Sequence, residues 1–402
     1  MLVSRIKKGS VPHFLAILFL VTMVSLISLT KVEAVVSREQ GLEIVIKKIV
    51  GEETEKVNIW AYPTTLTNYA EIKTPKGSIF SPYEESWFFF VDDHPFENWE
   101  HPCRYVLVDR ETGEFTVAHN RMLPKDASSL ELLVRCEVPK PELPIKGSGS
   151  RSEPLMTDPD PHKYAVLING GYHLITNFTR FWNDLSAMYT TLVQHYGYMD
   201  ENIYVLCSDG TNPAVDQTDY TGHVNPETGE PYFNSDPDLD QDGDPDIDYA
   251  ATRANVYIVF QELQNILTAS DELFVFITPH GGAEEQEDES LIYLWEQTEL
   301  TDDELADLVA PISCSDMIFV ILSCHSGGFI DDLSSKPHRV ISTACKWEEE
   351  SRPEIWYTWF GFDEFAYYWT AAVRGYYPYY DEDYWGPDDG WPLPWLEGDP
   401  IV

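Results

Sequence analysis

Residues 273–282 read L-F-V-F-I-T-P-H-G-G, and residues 317–328 read M-I-F-V-I-L-S-C-H-S-G-G. Each stretch is an apolar run of strand length that leads to a reactive side chain and then to glycine. Buried strands of a parallel sheet have such continuous apolar runs, and ligands bind at the carboxyl ends of these strands. The pattern therefore predicts two neighbouring parallel strands that bring His280 and Cys324 together at one edge of a sheet.

His280 and Cys324 are the residue types of a catalytic dyad. A thiol is mostly protonated at neutral pH, and a neighbouring imidazole converts it to the thiolate that attacks a carbonyl carbon. The backbone N–H groups of Gly281 and Cys324 are the predicted donors to the oxyanion of a tetrahedral intermediate. A buried cysteine or a strand-end histidine alone would indicate no chemistry. Two strands that each lead to a reactive side chain and then to glycine favour catalysis.

The two blocks resemble the caspase-like clan of cysteine peptidases, which includes legumains, caspases, metacaspases and gingipains. The order His then Cys separates this clan from papain-like enzymes, whose cysteine comes first. F-I-T-P-H-G-G looks like the legumain histidine block, whereas S-C-H-S-G-G is closer to the metacaspase Cys-His-Ser-Gly block. Residues 164–170, 197–210 and 341–351 also resemble legumain strands. The resemblance implies an α/β fold with a caspase/legumain-like, parallel-rich sheet flanked by helices.

The same resemblance implies a reaction and a substrate pocket. The reaction is peptide-bond hydrolysis by a cysteine endopeptidase; a transpeptidase or ligase of the same fold differs only in what resolves the acyl-enzyme. Arg180 and Thr343 are the candidate pocket residues, because the region of Arg180 is similar to the one that shapes the primary pocket in legumains. Metacaspases carry an acidic residue two positions before the nucleophile, where this chain has Leu322, so specificity transfers from neither family. His325 follows the nucleophile and is expected to be a turn residue, not the base.

The charge of the chain limits its partners. The 402 residues carry a formal net charge of −42 at pH 7, which excludes nucleic acid as a plausible partner. Such a surface is soluble and attracts cations, so it suits a calcium-containing exterior. The expected partners are a peptide or protein substrate and the chain's own N-terminal domain.

The chain divides into five predicted segments. Residues 1–34 place basic residues before an apolar run and a small-residue cleavage site, which is typical of a secretory signal peptide, with an uncleaved anchor as the alternative. Residues 35–140 read as a helix followed by antiparallel strands, a small α+β propeptide-like domain. Residues 141–162 are a linker rich in proline, glycine and serine. Residues 163–375 form the catalytic domain, and residues 376–402 an irregular aromatic and acidic tail.

This order predicts a secreted or cell-surface protein made as a zymogen. The linker is open to proteolysis, and the N-terminal domain is either an inhibitor or a folding module without inhibitory action. No contact with the membrane is expected once the signal peptide is removed. Six cysteines in a secreted chain also invite disulfides. Cys103 and Cys136 are close enough in sequence to pair, whereas Cys324 must stay free to act as the nucleophile.

Residues 236–248 read D-P-D-L-D-Q-D-G-D-P-D-I-D. Alternating aspartates with a glycine at the bend match the first half of an EF-hand or thrombospondin-type calcium loop. The predicted ligands of a structural Ca²⁺ are Asp238, Asp240, Asp242, Asp244 and Asp246, and no cofactor is expected for catalysis. A disordered acidic loop is the alternative. If the loop binds calcium and the dyad is inert, the protein is a calcium-binding surface protein with a degenerate peptidase domain.

Overall fold

The computed structural model describes residues 35–74, 77–95, 97, 101–136, 157–219, 224–225, 228–284, 289–353, 361–374, 376–377 and 399–400. The predicted signal peptide, most of the linker and most of the tail lie outside these residues. Within the described part of the chain, no helix is long and apolar enough to cross a membrane.

The N-terminal part of the described chain is a helix packed on an antiparallel sheet. Helix α1 (Arg38–Val45) begins at a capping box formed by Ser37 and Gln40 and continues as a π-helical turn, Ile46–Val50. The strands are β1 (Asn58–Ala61), β2 (Leu66–Thr67), β3 (Glu71–Thr74), β4 (Gly77–Phe80), β5 (Glu85–Asp92), β6 (Cys103–Asp109), β7 (Phe115–Asn120) and β8 (Glu131–Val134). The sheet order is β7-β6-β5-β1-β8, with β2 on β5, and β3 and β4 form a separate hairpin. This agrees with the predicted helix followed by antiparallel strands.

The second part contains a five-stranded parallel sheet. Its strands are β9 (Lys163–Asn169), β10 (Ile203–Cys207), β13 (Glu272–Ile277), β17 (Asp316–Ile321) and β18 (Arg339–Thr343). The order across the sheet is β10-β9-β13-β17-β18, and every pair is parallel. Shorter antiparallel ladders join β11 (Gln217–Thr218) to β12 (Tyr232–Phe233), and β14 (Gly281–Glu284) to β15 (Glu289–Leu294) and β16 (Thr298–Thr301). Two short strands pair near the end of the chain, β19 (Tyr376–Tyr377) and β20 (Asp399–Pro400).

Helices cover both faces of the parallel sheet. They are α2 (Thr179–Tyr196), α3 (Arg253–Ile266), α4 (Asp302–Val309), α5 (Phe329–Leu333) and α6 (Glu364–Arg374). Apolar residues of α3, α4 and α5 form one buried core with the sheet, and those of α2 and α6 form another. The result is a three-layer α/β sandwich, which is the predicted caspase/legumain-like fold class.

A third core joins the two parts of the chain. The face of the N-terminal sheet opposite α1 presents Trp60, Phe88 and Phe90, and these side chains share one buried cluster with Tyr172 and Tyr293 of the catalytic part. The opposite face packs on α1 through residues such as Val45 and Phe89. The N-terminal sheet is therefore covered on both sides, by its own helix and by the catalytic part.

Candidate active site

The parallel register brings the ends of β13 and β17 together. Ile277 is paired with Ile321, and the next N–H on β17, that of Leu322, donates to the Ile277 carbonyl at 2.8 Å. His280 and Cys324 each come three residues after this last pair. A methyl group on Gly281 would lie 2.6 Å from the carbonyl oxygen of Cys324, closer than a real side chain allows. Only glycine at position 281 lets the histidine segment pass this close to the nucleophile segment.

The imidazole of His280 is buried and fixed on three sides. Its Nε2 lies 2.6 Å from the carbonyl oxygen of Thr176, and its ring packs edge-to-face on Phe178 and Phe181 with centroid distances of 5.2 and 4.8 Å. A carbonyl oxygen only accepts hydrogen bonds, so Nε2 carries the proton. Nδ1 is then the nitrogen available to take a proton from a nucleophile.

The thiol of Cys324 is also fully buried. Its Sγ lies 3.6 Å from Oγ and 3.9 Å from the carbonyl oxygen of Ser351. Burial raises the pKa of Cys324 well above its usual value, and burial lowers the pKa of His280 well below its own, helped by the charge of Arg180. Burial therefore favours the neutral form of both side chains in this closed arrangement.

His325 has contacts of a different kind. Its backbone is left-handed (φ 60°), its Nδ1 lies 2.6 Å from the Trp347 carbonyl, and its N–H donates to the Glu349 carbonyl at 2.9 Å. These bonds hold the segment 345–351, called here the active-site loop, against the turn that follows the nucleophile. The contacts agree with the expectation that His325 is a turn residue.

Arg180, Asp184 and Asp363 form a buried ionic cluster next to the aromatic rings that contact His280. Arg180 is ion-paired with Asp363 at 2.9 Å, and its guanidinium lies 4.0 Å from the ring centroid of Phe178. Asp184 accepts a 2.7 Å hydrogen bond from the hydroxyl of Thr278, two residues before His280, and a 3.2 Å bond from the Asp363 N–H. Burial and the neighbouring Asp363 raise the pKa of Asp184. Sequence reasoning identified only Arg180; a charged residue on the apolar face of α2 was the available signal for Asp184.

Asn177 anchors the segment whose carbonyl holds His280. Its amide donates to Ser208 Oγ at 2.6 Å and to the carbonyl of Asp216 at 2.8 Å, and the residue is fully buried. Asp216 is itself buried, and together with burial it raises the pKa of Asp209 to about 7. The Asp216 carbonyl and Ser208 Oγ thus hold Asn177, the residue that follows Thr176.

Comparisons with known proteins agree with this geometry. Residues 163–374 match the sequence profile of the Peptidase C13 family, which is more than half of the chain. The chain belongs to the Peptidase C13 family. This is the legumain family of caspase-like cysteine peptidases, so the family resemblance and the fold class expected from the two blocks are confirmed.

Two further likenesses are more distant than the C13 match. Metacaspase-4 of Arabidopsis thaliana is 28% identical over 193 residues, which are 46% of this chain and 37% of that protein. The chain therefore spans little more than a third of the length of this curated relative. The crystal structure of protein GSU0716 from Geobacter sulfurreducens covers 53% of this chain and 83% of its own, with 14% identity and a TM-score of 0.32.

Thr343 lies at the outer side of the C13 domain's active edge. It ends β18 opposite Ile321 of β17. It also lines a cleft of about 460 Å³ together with Ile330, Cys345 and Trp347. The other candidate pocket residue, Arg180, is only 2% exposed and is held by Asp363. The two candidates thus lie at different depths, one in an open cleft and one in the buried cluster.

The acidic insertion of the C13 domain folds into a compact loop. Carboxylate oxygens of Asp238, Asp240 and Asp246 lie within 4.8 Å of one another, and this group does not include Asp242 or Asp244. Asp242 instead accepts the N–H of Asp244 at 2.9 Å. Oδ1 of Asp238 is buried and has no hydrogen-bond partner among the described residues. Three converging carboxylates, one of which has an oxygen without a hydrogen-bond donor among the described residues, form a set of ligands that fits a hard cation.

All six cysteines are unbonded in the structure. Cys103 and Cys136, the pair suggested by their spacing, are both buried, and the Cys103 thiol donates instead to the Met122 carbonyl at 3.4 Å. Burial raises the pKa of Cys136 to about 12. Both residues thus behave as small apolar side chains of the N-terminal core.

The N-terminal sheet reaches the active edge of the C13 domain. The guanidinium of Arg121 forms an ion pair with Glu350 of the active-site loop, one residue before Ser351. His101, buried and 2.8 Å from Asp92, lies close enough to His280 for its charge to lower the pKa of that histidine. His280 and Cys324 are both 0% exposed. In this structure the dyad is closed off from a peptide substrate.

Proposed function

We propose that the protein is a secreted cysteine endopeptidase, made as a zymogen, that hydrolyses peptide bonds through the dyad of His280 and Cys324. The single observation that carries the proposal is the matched ends of β13 and β17. They put an imidazole whose Nε2 is held by the Thr176 carbonyl and a thiol at the same edge of the sheet, with glycine at the point of closest approach. Membership of the C13 family supports the same chemistry.

Each step of the reaction has a group in this chain to perform it. His280 Nδ1 takes the thiol proton of Cys324, and the thiolate attacks the substrate carbonyl carbon. The N–H groups of Gly281 and Cys324 stabilise the oxyanion. Protonated His280 then gives its proton to the leaving amine, and water hydrolyses the acyl-enzyme. The Thr176 carbonyl keeps Nε2–H in place throughout, so the ring cannot turn its wrong nitrogen to the thiol.

Arg180 and Thr343 remain our candidates for substrate recognition. Arg180 is buried and paired with Asp363 next to the aromatic rings that hold His280, so it reaches a substrate only if the site opens. Thr343 lines the open cleft beside the segment of Cys324. The preferred substrate residue is to be read from the cleavage sites of a peptide library.

Labelling by an electrophilic peptide probe tests the proposal directly. After removal of the N-terminal domain, we expect stoichiometric modification of Cys324 together with peptide hydrolysis. A transpeptidase or ligase would give the same labelling but would transfer the acyl group to an added amine in preference to water. A surface protein with a degenerate peptidase domain would give no labelling, which would reject the enzyme proposal.

The N-terminal domain is proposed to be the inhibitor of this dyad. Its sheet shares a buried core with Tyr172, Leu291 and Tyr293, and Leu291 belongs to the strand that packs against Gly281. The Arg121–Glu350 ion pair ties it to the active-site loop. Residues 1–34 lie outside the described residues, so secretion stands on the signal-peptide pattern, and sequencing the mature N-terminus of the exported protein tests it.

The ion pair predicts a charge-reversal experiment on the uncut chain. Arg121→Glu or Glu350→Arg should each speed labelling of Cys324 by about three- to tenfold, because a half-exposed ion pair contributes up to about 1 kcal/mol and reversal adds repulsion. The double variant should restore the slow rate, since the pair is rebuilt with opposite polarity. Lys47→Glu, which makes the same charge change in the exposed ion pair of Lys47 with Glu43, is the matched control. Equal labelling rates in all variants would show that Arg121 does not hold the closed form.

Calcium is proposed as a structural ion of the acidic insertion. Asp238, Asp240 and Asp246 would hold it, and Gly243, with φ 105°, allows the bend between them. Burial raises the pKa of Asp246 to about 6. A bound cation must replace this proton, so we expect calcium affinity to fall as the pH drops below about 6.

The expected consequence is a calcium-dependent melting temperature. At a hundredfold excess over Kd the ion would stabilise the fold by about 2.7 kcal/mol, or about 5–10 °C in Tm. Asp240→Asn should remove this response, whereas Asp242→Asn, outside the three-carboxylate group, should keep most of it. Identical melting curves in chelator and in millimolar calcium would rule the site out. A loss of the response in both variants would return Asp242 to the ligand set.

A further inference from the structure

We propose that Cys345 and Cys324 form a reversible disulfide that switches the peptidase off under oxidising conditions. The switch rests on the function proposed above, since it matters only if Cys324 is the nucleophile. It is carried by a separate observation, which is that a second thiol lies against the peptide unit of Cys324.

Both sulfurs contact the active-site loop, and the sulfur of Cys345 also contacts the segment that carries Cys324. Cys345 Sγ lies 3.5 Å from the carbonyl oxygen of Ser323, in the peptide bond that joins Ser323 to Cys324. It also lies 3.1 Å from the Glu349 carbonyl, in the active-site loop. Cys324 Sγ lies 3.6 Å from Ser351 Oγ, two residues further along that loop. The Cys345 sulfur therefore lies next to the peptide unit that joins Ser323 to Cys324.

The backbone geometry suits a bridge. Ile321 of β17 and Thr343 of β18 are paired, so Cys324 comes three residues and Cys345 two residues after the same register point. Neighbouring strands lie about 4.8 Å apart, and disulfides join Cα atoms about 4.4–6.8 Å apart. A charge on Cys345 also raises the pKa of Cys324, as expected of close sulfur atoms. Formation of the bridge then requires the active-site loop to move so that the two sulfurs meet.

Access favours Cys345 as the first site of attack. It is partly exposed and lines the open cleft with Gly327, Lys346 and Trp347, whereas Cys324 is fully buried. A small disulfide in solution can therefore reach Cys345, and the second step is intramolecular and needs no access to Cys324. Cys314, the other partly exposed cysteine, precedes the start of β17 and lies at the opposite end of the strand.

The chemistry balances with a small organic disulfide as the oxidant. The Cys345 thiol attacks one sulfur of that disulfide, forms a mixed disulfide and releases one small thiol. The Cys324 thiol then attacks the Cys345 sulfur, forms the Cys324–Cys345 bond and releases the second small thiol. Two protein thiols are oxidised, and one small disulfide is reduced to two thiols. A reducing thiol reverses both steps and restores the nucleophile.

Oxidation of the full-length protein with oxidised glutathione tests the inference. Digestion without reduction, followed by mass spectrometry, should yield one linked pair of peptides that contains Cys324 and Cys345. Cys345→Ser should remove the linked pair, and Cys314→Ser, the matched control, should keep it. Dithiothreitol should return both peptides to their free masses.

The readout is independent of peptidase activity, so the two proposals can fail separately. A mixed glutathione disulfide that stays on Cys345, or no modification there, would overturn the switch even if the enzyme hydrolyses peptides. If the linked pair forms but the cut protein hydrolyses nothing, the disulfide stands and the proposed function fails. If both hold, cut enzyme should lose hydrolysis in proportion to the linked fraction and regain it on reduction.

Discussion

Replacing Cys324 or His280 by alanine is expected to lower kcat/KM for peptide hydrolysis by about a thousandfold or more. Cys324→Ala removes the only nucleophile that the proposed mechanism uses, and His280→Ala removes the base that creates the thiolate and the acid that protonates the leaving amine. The two residues act as one unit, so the double variant should be about as inactive as either single variant. Steady-state hydrolysis of a peptide library by the cut enzyme measures the effect.

His325→Ala is the matched control for these variants, because it alters the residue beside the nucleophile without touching the dyad. Its contacts with the active-site loop are with the carbonyl oxygens of Trp347 and Glu349, so we expect lower stability and substantial remaining turnover. The melting temperature of each protein, measured in parallel, separates loss of chemistry from loss of fold. Activity near wild type in Cys324→Ala, purified free of host proteases, would refute the assignment of the nucleophile.

The uncut chain is expected to label at Cys324 at least about a hundredfold more slowly than the cut and diluted enzyme, which corresponds to about 1% of molecules with an open site. The reason is burial: both dyad residues are 0% exposed, and the N-terminal sheet shares an aromatic core with the catalytic part. Cutting within residues 141–162 removes the tether and its high effective concentration. Labelling rates before cutting, after cutting, and after dilution of the cut protein measure each step.

The apolar interface between the N-terminal sheet and the catalytic part means that cutting alone should not separate them. Trp60, Phe88 and Phe90 would face water if the N-terminal domain left, so the cut halves should stay together at high concentration and separate only on dilution. If the enzyme cuts itself, Cys324→Ala should remain full length while wild type is cleaved near Lys146 or Arg151. Verified uncut protein that labels as fast as the diluted cut enzyme would disprove the zymogen proposal and leave the peptidase proposal intact.

The strands and helices of the catalytic part could be predicted because their signals are local. The apolar runs before His280 and Cys324 are buried on both faces, and a strand buried on both faces must be apolar throughout. The antiparallel ladder that begins at Gly281 was not predicted. Its first strand contains two glycines and is held by pairing with Leu291 and Ile292, so its conformation comes from a neighbour and not from its own residues.

The candidate site divides in the same way. His280, Gly281 and Cys324 could be predicted from the sequence, because each lies in a short motif directly after an apolar run. Asp184 and Asp363 are 179 residues apart and meet only because α2 and the start of α6 pack on one side of the sheet. The same holds for the three carboxylates of the acidic loop, since the sequence shows five suitable aspartates and the backbone decides which oxygens converge.

Hydrophobic periodicity and residue chemistry are local properties of the chain, so they predict the sheet class, the order of the two reactive blocks and the kinds of group that can react. Only the packing of distant segments shows that His280 and Cys324 are both buried, that Arg121 contacts Glu350, and that Cys345 lies against the peptide unit of Cys324. These contacts join segments far apart in the chain. These contacts are stabilised by the burial of one segment's surface against the other. The sequence of either segment therefore does not show which segment it contacts.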